Sequence, residues 1–598
     1  MSRSAGRIGW FLVWAVVFCD IGTSVYYVPG ILYGTTGDRA GFFVLSTLVA
    51  FVLLAVKYID VTRRFPAGGG VVSVADAAAG PWWGALGGQL IMVDYFLTVA
   101  ISAISGMYYI DSVVHLGGNV LPATLLALAL LCALNIAGVK ESATVSLGLA
   151  LAAVVVDIVV IVAALIAADA DTLAALLREA TSLGELSPWQ MLVGYSGAWL
   201  AFSGLESISQ LSPAMRDLNA TPRRGMIAVV ASVLATAPFL TFLSTLMLGD
   251  HVKGSESERF ISELGALVGG DTLKLAVVLT ASSLLLFAAN TAIIGNYHVM
   301  MALVRREFMP EALGALSHRF QTPHRAVILS TAVPALILVF AGGSMNLLGE
   351  LYAFGLLGAF VLTSVGTDIL RWRDGERGGA FVLGVVTSLM VILAFGVNLV
   401  AKPMATAFGG GIAGLGMIVS HGTHTGWLSR LLDKIPRLHP PSQVERYETP
   451  FLTVEQAAAT TREGEVNVIV ASRGATRKIF KEAVDRARAR GLGQVYAIYV
   501  DEIPGLFYPQ LAAPTPEGLT VLEAACAMIE SMGMKAVPVW ALSHGAAVSV
   551  AEAAEALRCD TVVIGATQRT IVWTTLRGKF IQDLLRQLPP EIRLIVVG

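Results

Sequence analysis

Four carboxylates stand inside long apolar runs of this 598-residue chain. Asp20 lies in WFLVWAVVFCDIGTSVYYVPGIL and Asp94 in GGQLIMVDYFLTVAISAI. Asp157 lies in LALAAVVVDIVVIVAALI and Glu206 in LVGYSGAWLAFSGLESIS. A charged carboxylate at mid-membrane costs about 2.5–3.5 kcal/mol on insertion scales. No Lys or Arg stands beside any of the four, and none is expected at comparable depth. Each acid must therefore carry a proton or share a mobile cation. The chemistry that follows is cation handling across a membrane.

Those acids need spans to hold them. The chain is 55% hydrophobic and 14% charged, against about 25% charged in soluble domains. A net charge of −2 gives no general attraction to nucleic acid. Cys19, Cys132, Cys526 and Cys559 are scattered, which fits core thiols and neither a disulfide framework nor a zinc site. The N-terminal apolar stretch is too long for a signal peptide and lacks a small-residue cleavage site. Twelve apolar segments are long enough to cross a bilayer: 8–33, 40–59, 82–113, 121–139, 143–168, 189–211, 225–249, 271–304, 325–342, 346–370, 378–400 and 403–422.

Basic residues in the connections set the expected orientation. One set of loops holds Arg63, Arg64, Lys140, Arg216, Arg223, Arg224, Arg305, Arg306, Arg319, Arg325, Arg371, Arg373 and Arg377. The other holds little beyond Arg39, Arg178, Lys253, Arg259 and Lys402. The richer side is read as cytoplasmic. Both termini are expected there, with the protein in a bacterial-type cytoplasmic (inner) membrane.

Two spans contain helix-breaking runs. CDIGTS places Gly22, Thr23 and Ser24 in the first, and FSGLES places Ser203, Gly204 and Ser207 in the sixth. Glycine costs about 1 kcal/mol against alanine in a helix, and Ser and Thr compete for backbone hydrogen bonds. Two such breaks five spans apart, each with an acid, point to inverted repeats with discontinuous helices. Unwound backbone is tolerated at that depth where it lines a polar cavity. The bland alternative is close helix packing through small residues.

Composition changes after about residue 430. DKIPRLHPPSQVERYETP reads as a linker, 431–450. Beyond it, EVNVIVAS, QVYAIYVDE, KAVPVWALS, DTVVIGA and IRLIVVG alternate with helical runs, which predicts a parallel sheet covered on both faces. The domain expectation is thus a transmembrane unit at 1–430 and a cytoplasmic α/β domain at 451–598.

DIGTSVYY, RRFPAGGG before the third span, VDYFLTVA within it, VKES before the fifth, SGLES and AANTAIIGNYHVMMALVRREFMP resemble the amino acid–polyamine–organocation superfamily. Within it the chain is most similar to KimA-type potassium–proton symporters. DIGTS is also similar to the Kup potassium-uptake family. The resemblance covers nearly the whole chain. It implies a LeuT-like 5+5 inverted-repeat core plus two further helices, and a transporter rather than an enzyme.

Carried over position by position, the family's potassium ligands fall on Asp20, Tyr27, Asp94, Thr98, Ser203 and Glu206. Ser203 replaces the family's threonine. Potassium itself is placed at Asp20, Tyr27, Thr98 and Ser203, with unwound backbone at Gly22, Thr23, Ser24 and Gly204. Hard oxygen ligands suit such a cation. Glu206 is the first choice for the coupling proton and Asp94 the second. Asp157 matches no acid of the family; burial against a polar neighbour competes with a second cation or proton there. Asn290 and Asn296 are expected to bond across helices, and His298 to be structural.

The tail resembles a universal stress protein domain. That fold often holds adenine nucleotides in a glycine loop after its fourth strand. Gly565, Arg569 and Gly578 fall in this loop, but Gln568 and Lys579 replace two of its key positions, and Ser472 and Arg473 stand where an adenine-contacting acid would be. A regulatory cyclic di-AMP or adenine nucleotide, and a homodimer formed through the tail, are the expectations; no resident cofactor is expected. Proton-coupled potassium uptake is the leading function. The alternative is a proton-coupled permease for a small amino acid, and a non-transporting sensor is the third reading.

Overall fold

The computed structural model describes residues 8–66, 68–138, 143–181, 186–315, 317, 320, 322–432, 451–461, 467–471, 477–489, 494–502, 514, 516–543, 545–565 and 580–597. These fall into two compact units, one within residues 8–439 and one within 440–598.

The first unit is helical. The first expected span is two helices, α1 (Trp10–Ile21) and α2 (Val28–Thr36), joined by a 3-10 turn at Gly22–Tyr26. α3 (Ala40–Arg64) ends on Arg63 and Arg64, where the helix dipole favours cations. A short helix, α4 (Gly70–Ala79), was not foreseen. It is bracketed by Gly69 at φ 104° and Gly80 at φ 102°, conformations that disfavour a side chain. Gly80 then hands over to Pro81 at the first position of α5 (Pro81–Val114). α6 (Val120–Ala137), α7 (Ala143–Ala167) and α8 (Ala170–Thr181) follow.

α9 (Pro188–Ala198) starts on a capping box. The Ser187 hydroxyl accepts from the Gln190 amide while the Gln190 side chain accepts from the Ser187 amide. The sixth expected span breaks after it, into a 3-10 turn at Trp199–Phe202 and the single turn α10 (Ser207–Gln210). α11 (Thr221–Met247), α12 (Asp250–Ser255) and α13 (Phe260–Arg305) come next, α13 being bent at Gly270 with φ 64°. α14 (His324–Phe340), α15 (Met345–Arg373), α16 (Gly379–Ala401) and α17 (Pro403–His424) complete the unit.

Among the described residues, nine helical stretches are long and apolar enough to cross a membrane. The twelve spans expected from hydropathy are not twelve continuous helices. The first and sixth are broken, and the ninth falls on the 17-residue α14. The physical reason is local: the polar runs that interrupt the first and sixth segments shorten each helical half.

Burial separates the helices by role. α5 is buried along nearly its whole length. α7 buries one stripe, Ser146, Ala150, Ala153, Asp157, Val160, Ile161 and Ala164, and exposes Val145, Leu151, Val155 and Ile158. A helix with apolar residues on its outer face suits lipid contact.

The second unit holds a six-stranded parallel sheet: β1 (Leu452–Thr453), β2 (Asn467–Ala471), β3 (Val495–Glu502), β4 (Ala536–Ser543), β5 (Cys559–Gly565) and β6 (Arg593–Val597), in the order β1-β4-β3-β2-β5-β6. The two-residue β1 was not foreseen. Val468 and Val470 pack on one face with Phe480 and Leu522, and Ile469 on the other with Val550 and Leu557. This alternation is the period-2 geometry of a strand buried on both sides. All four cysteines are free thiols. Burial pushes the Cys526 thiol up to about 11, with Glu530 and Glu523 adding to it, so it is held as an inert core group.

Candidate functional site

The two broken spans meet at their breaks. Thr23 Oγ1 donates to the Asp20 carbonyl at 2.6 Å. Ser24 Oγ lies 2.7 Å from the Ile21 carbonyl and 2.7 Å from that of Ala201, so one hydroxyl bridges both breaks. Side-chain hydroxyls thus take up carbonyls that a continuous helix would satisfy. Gly204 has φ +99°, and a Cβ there would lie 2.8 Å from Asp20 Cγ and 3.0 Å from the Ile21 amide nitrogen. Only glycine permits both that conformation and that approach. Ser207 donates to Asp20 Oδ2 and lies 2.7 Å from the Gly204 carbonyl.

Two glycines bring in the third element. A Cβ on Gly355 would meet the Asp94 amide at 2.7 Å, and one on Gly358 would meet Leu90. α15 therefore lies against α5 at Leu90–Asp94, the small-residue approach common between membrane helices. One turn away, the Tyr352 hydroxyl is 2.5 Å from Thr98 Oγ1 and also hydrogen-bonds Ser203 Oγ. Tyr27 is 3% exposed and stands among Thr23, Asp20, Asp94 and Tyr352.

The three acids of this region act on one another. Asp94 is 0% exposed and Glu206 2%, while Asp20 is half-buried. The strongest charged neighbours of Glu206 are Asp94 and Asp20. Neither oxygen of Asp94 makes a hydrogen bond of good geometry among the described residues, nor does Glu206 Oε2, although Tyr352 and Glu206 are the polar side chains next to Asp94. No ion pair among the described residues includes any of the three. No group of three or more His, Cys, Asp and Glu side chains among those residues is set to chelate a metal ion. The acids thus do not form a tight all-carboxylate cage; neutral hydroxyls stand among them.

Sequence reasoning missed Tyr352, although a tyrosine amid LYAFGLLGAF was a visible signal. It also missed a buried ion pair. Lys57 Nζ, 1% exposed, donates to Asp368 Oδ2, Ser388 Oγ and Ser364 Oγ, each at 2.8 Å. The expectation that no basic residue lies deep in the spans is therefore corrected. It holds for Asp20, Asp94 and Glu206, but a fifth acid, Asp368, has its own lysine.

Asn290 accepts from Asn135 Nδ2 at 2.7 Å across α13 and α6, whereas Asn296 is 0% exposed and neither of its amide atoms has a partner among the described residues. In the tail, Gly565 ends β5, and a Cβ there would lie 2.7 Å from Ile479. The carboxyl ends of β2 and β5 form the switch point where open sheets bind ligands. Ser472, Arg473, Gln568, Arg569, Arg577, Gly578 and Lys579 lie outside the described residues, as do Lys140 and the linker 433–450.

A family model described as amino acid permease matches residues 8–420. The potassium transporter KimA of Bacillus subtilis is 25% identical over 411 residues, 66% of this chain and 66% of that protein. The low-affinity putrescine importer PlaP of Escherichia coli is 23% identical, over 58% of this chain and 77% of that protein. Cationic amino acid transporter 1 of Arabidopsis thaliana is 21% identical, over 61% and 62%. The chain spans just under two thirds of the length of KimA.

Proposed function

Because the chain belongs to the amino acid permease family of transporters, we propose that it is a secondary transporter that imports potassium together with a proton. The observation that carries this reading is the meeting of Asp20, Asp94 and Glu206 at two broken spans without a basic partner. Tyr27, Thr98, Ser203 and Tyr352 surround them with neutral oxygens. An ionised carboxylate at that depth is costly without a counter-charge. A monovalent cation coordinated by one or two carboxylates and several hydroxyls would supply it. The hydroxyls of Thr98, Ser203 and Tyr352 already touch, which favours a small ion over a bulky solute. Glu206 is assigned the coupling proton, with Asp94 as the second candidate.

The element order supports a 5+5 inverted-repeat core of LeuT type plus α16 and α17. A broken span opens each half, and a short helix follows its second span: α4 in one, α12 in the other. Three basic residues of one side have acidic partners. Lys253 pairs with Asp38 at 3.1 Å, Arg259 with Asp111 at 2.8 Å, and Arg39 with Glu179 at 3.6 Å. On the other side Arg64, Arg306 and Arg371 are paired as well, so the reading of that face as cytoplasmic rests on the larger number of Arg there, as the positive-inside rule counts them. The tail is inferred to be a stress-protein-like regulatory domain that binds cyclic di-AMP or an adenine nucleotide and pairs two copies through the β6 edge. An uncovered edge strand is a template for such pairing.

A diamine or cationic amino acid is the second reading. Three acids in one site suit ammonium groups, and the relatives include a putrescine importer. A zwitterionic amino acid fits less well, because Asp20 would repel its carboxylate.

The test is uptake into proteoliposomes under an inward proton gradient, with rubidium, putrescine and a panel of amino acids measured side by side. Concentrative rubidium uptake that Glu206→Gln uncouples from the gradient supports the proposal. Uptake of an organic substrate with no rubidium flux would overturn it.

A further inference from the structure

Asp157 is the one acid from the sequence pattern that the cation site does not absorb. It is 1% exposed and lies on the single buried stripe of α7. Its Oδ1 accepts from the Tyr26 hydroxyl at 3.2 Å, and its Oδ2 has no partner among the described residues. Tyr26 belongs to the 3-10 turn that breaks the first span. The Tyr26 carbonyl in turn accepts from the Tyr109 hydroxyl of α5 at 2.8 Å, and the two rings meet edge to face at 5.7 Å. The Thr280 side chain of α13 also stands next to the Tyr26 hydroxyl.

We propose that Asp157 is a second protonation site, separate from the Asp20–Asp94–Glu206 cluster, which reports its charge to the first-span break through Tyr26. The inference rests on the transport reading but not on the identity of the substrate.

The chemistry is a proton exchange with water. In one state the Asp157 O–H bond is intact and the carboxyl is neutral. In the other the bond is broken, the proton has gone to water, and the carboxylate remains. A hydrogen bond to an ionised acceptor is about twice as strong as one between neutral groups. The Tyr26–Asp157 bond therefore holds Gly22–Tyr26 to α7 firmly when Asp157 is ionised and loosely when it is neutral. Since the same turn carries Thr23 and Ser24, which shape the cation site, the proton at α7 biases the geometry of that site without touching the cation.

The elements packed against α7 bring titratable groups of their own: α13 holds Glu263, Asp271 and Lys274 on one side of Thr280 in sequence and Tyr297, His298 and Arg305 on the other, and α1 holds Cys19 and Asp20. The first-span turn presents Tyr26 and α5 presents Tyr109, on which Glu263 and Arg259 also act. α1 meets α7 at Cys19 and Ser146, 11 residues before Asp157. α11 packs on α7 as well, and its only titratable residues, Arg223 and Arg224, lie in its first turn.

The experiment uses the full chain in lipid. Infrared spectra recorded across pH should contain a carboxylic-acid carbonyl band that titrates in the parent protein and is missing from Asp157→Asn. In proteoliposomes, Asp157→Asn and Tyr26→Phe should move the midpoint of the uptake–pH profile by about one unit or flatten it. The half-saturating cation concentration at fixed pH should change by no more than about two-fold. Tyr26→Phe keeps the carboxylate and removes only the donor, so it stands in if Asp157→Asn does not fold. Identical infrared spectra for parent and Asp157→Asn at every pH would overturn the proposal. So would a superimposable pH profile with cation affinity as the quantity that moves. Parent protein with no uptake of any substrate would instead sink the transport reading, and the infrared result would still decide the proton site.

Discussion

Lys57 and Asp368 carry opposite charges into the bundle and meet each other there; Asp20, Asp94 and Glu206 carry like charges and receive no counter-charge among the described residues. The first group continues outward as a ladder. Arg371 Nε lies 2.8 Å from Asp60, Arg64 Nε 3.1 Å from the same acid, and Arg64 also pairs with Asp374 and Glu376. It joins α3 to α15 and α16 with cation and anion both supplied by the protein. Such a group is balanced in charge as it stands, although Asp368 Oδ1 has no hydrogen-bond partner among the described residues, and removing one member strands the other. The acid cluster is incomplete as it stands, and only something mobile can complete it. Charge balance within the protein thus separates a clamp from the proposed binding site, although both lie on buried helices and both contain aspartates.

Substitutions test that contrast. Lys57→Met should have the largest effect, because it leaves Asp368 buried and unpaired at a cost of about 3–5 kcal/mol. A lowered unfolding temperature in detergent is expected, with most of the loss recovered in the Lys57→Met/Asp368→Leu double variant. A single variant as stable as the parent would refute the clamp.

Asp20→Asn should do the opposite. It removes a like charge from the acid cluster, so stability should hold or rise. Uptake should drop by roughly a hundred-fold, the equivalent of losing a charged ligand worth about 3 kcal/mol. Normal rubidium flux in this variant would erase the distinction between the two regions.

Gly204→Ala should cost about 1–3 kcal/mol of backbone strain at its positive φ and push directly on Asp20. A thermal shift together with impaired uptake is the expected pairing; impaired stability with unchanged cation affinity would make the glycine purely architectural. The smallest effects belong to the neutral ligands. Thr98→Ala and Ser203→Ala each remove a hydrogen-bonding oxygen worth about 1 kcal/mol, raising the half-saturating cation concentration several-fold. Tyr352→Phe should exceed either, since its hydroxyl joins both. Equal affinities for all three variants and the parent would move the site elsewhere.

Much of the bundle was legible because hydropathy and helix breaking are local properties. DIGTS and SGLES contain their own reasons to unwind, and the structure has 3-10 turns and a left-handed glycine there. The strands of the tail were legible for the same reason, since β-branched runs of five to eight residues announce themselves. The two-residue β1 did not: it is a strand only because β4 offers an edge beside it. Helix α4 was hidden between glycines whose φ values become evident only once the chain turns.

The sequence by itself determined that acids would lie inside apolar segments, and that two of those segments would break beside them. Both follow from side-chain polarity and backbone preference within a few residues. It could not decide which acids keep company. Asp368 finds its lysine 311 residues away, and Tyr352 reaches Ser203 across 149. Whether a buried carboxylate faces a cation, a hydroxyl or another carboxylate depends on which helices cross and how closely. Here Gly204, Gly355 and Gly358 set those crossings by leaving out a side chain, so the charge balance of each cluster is a property of the packed structure alone.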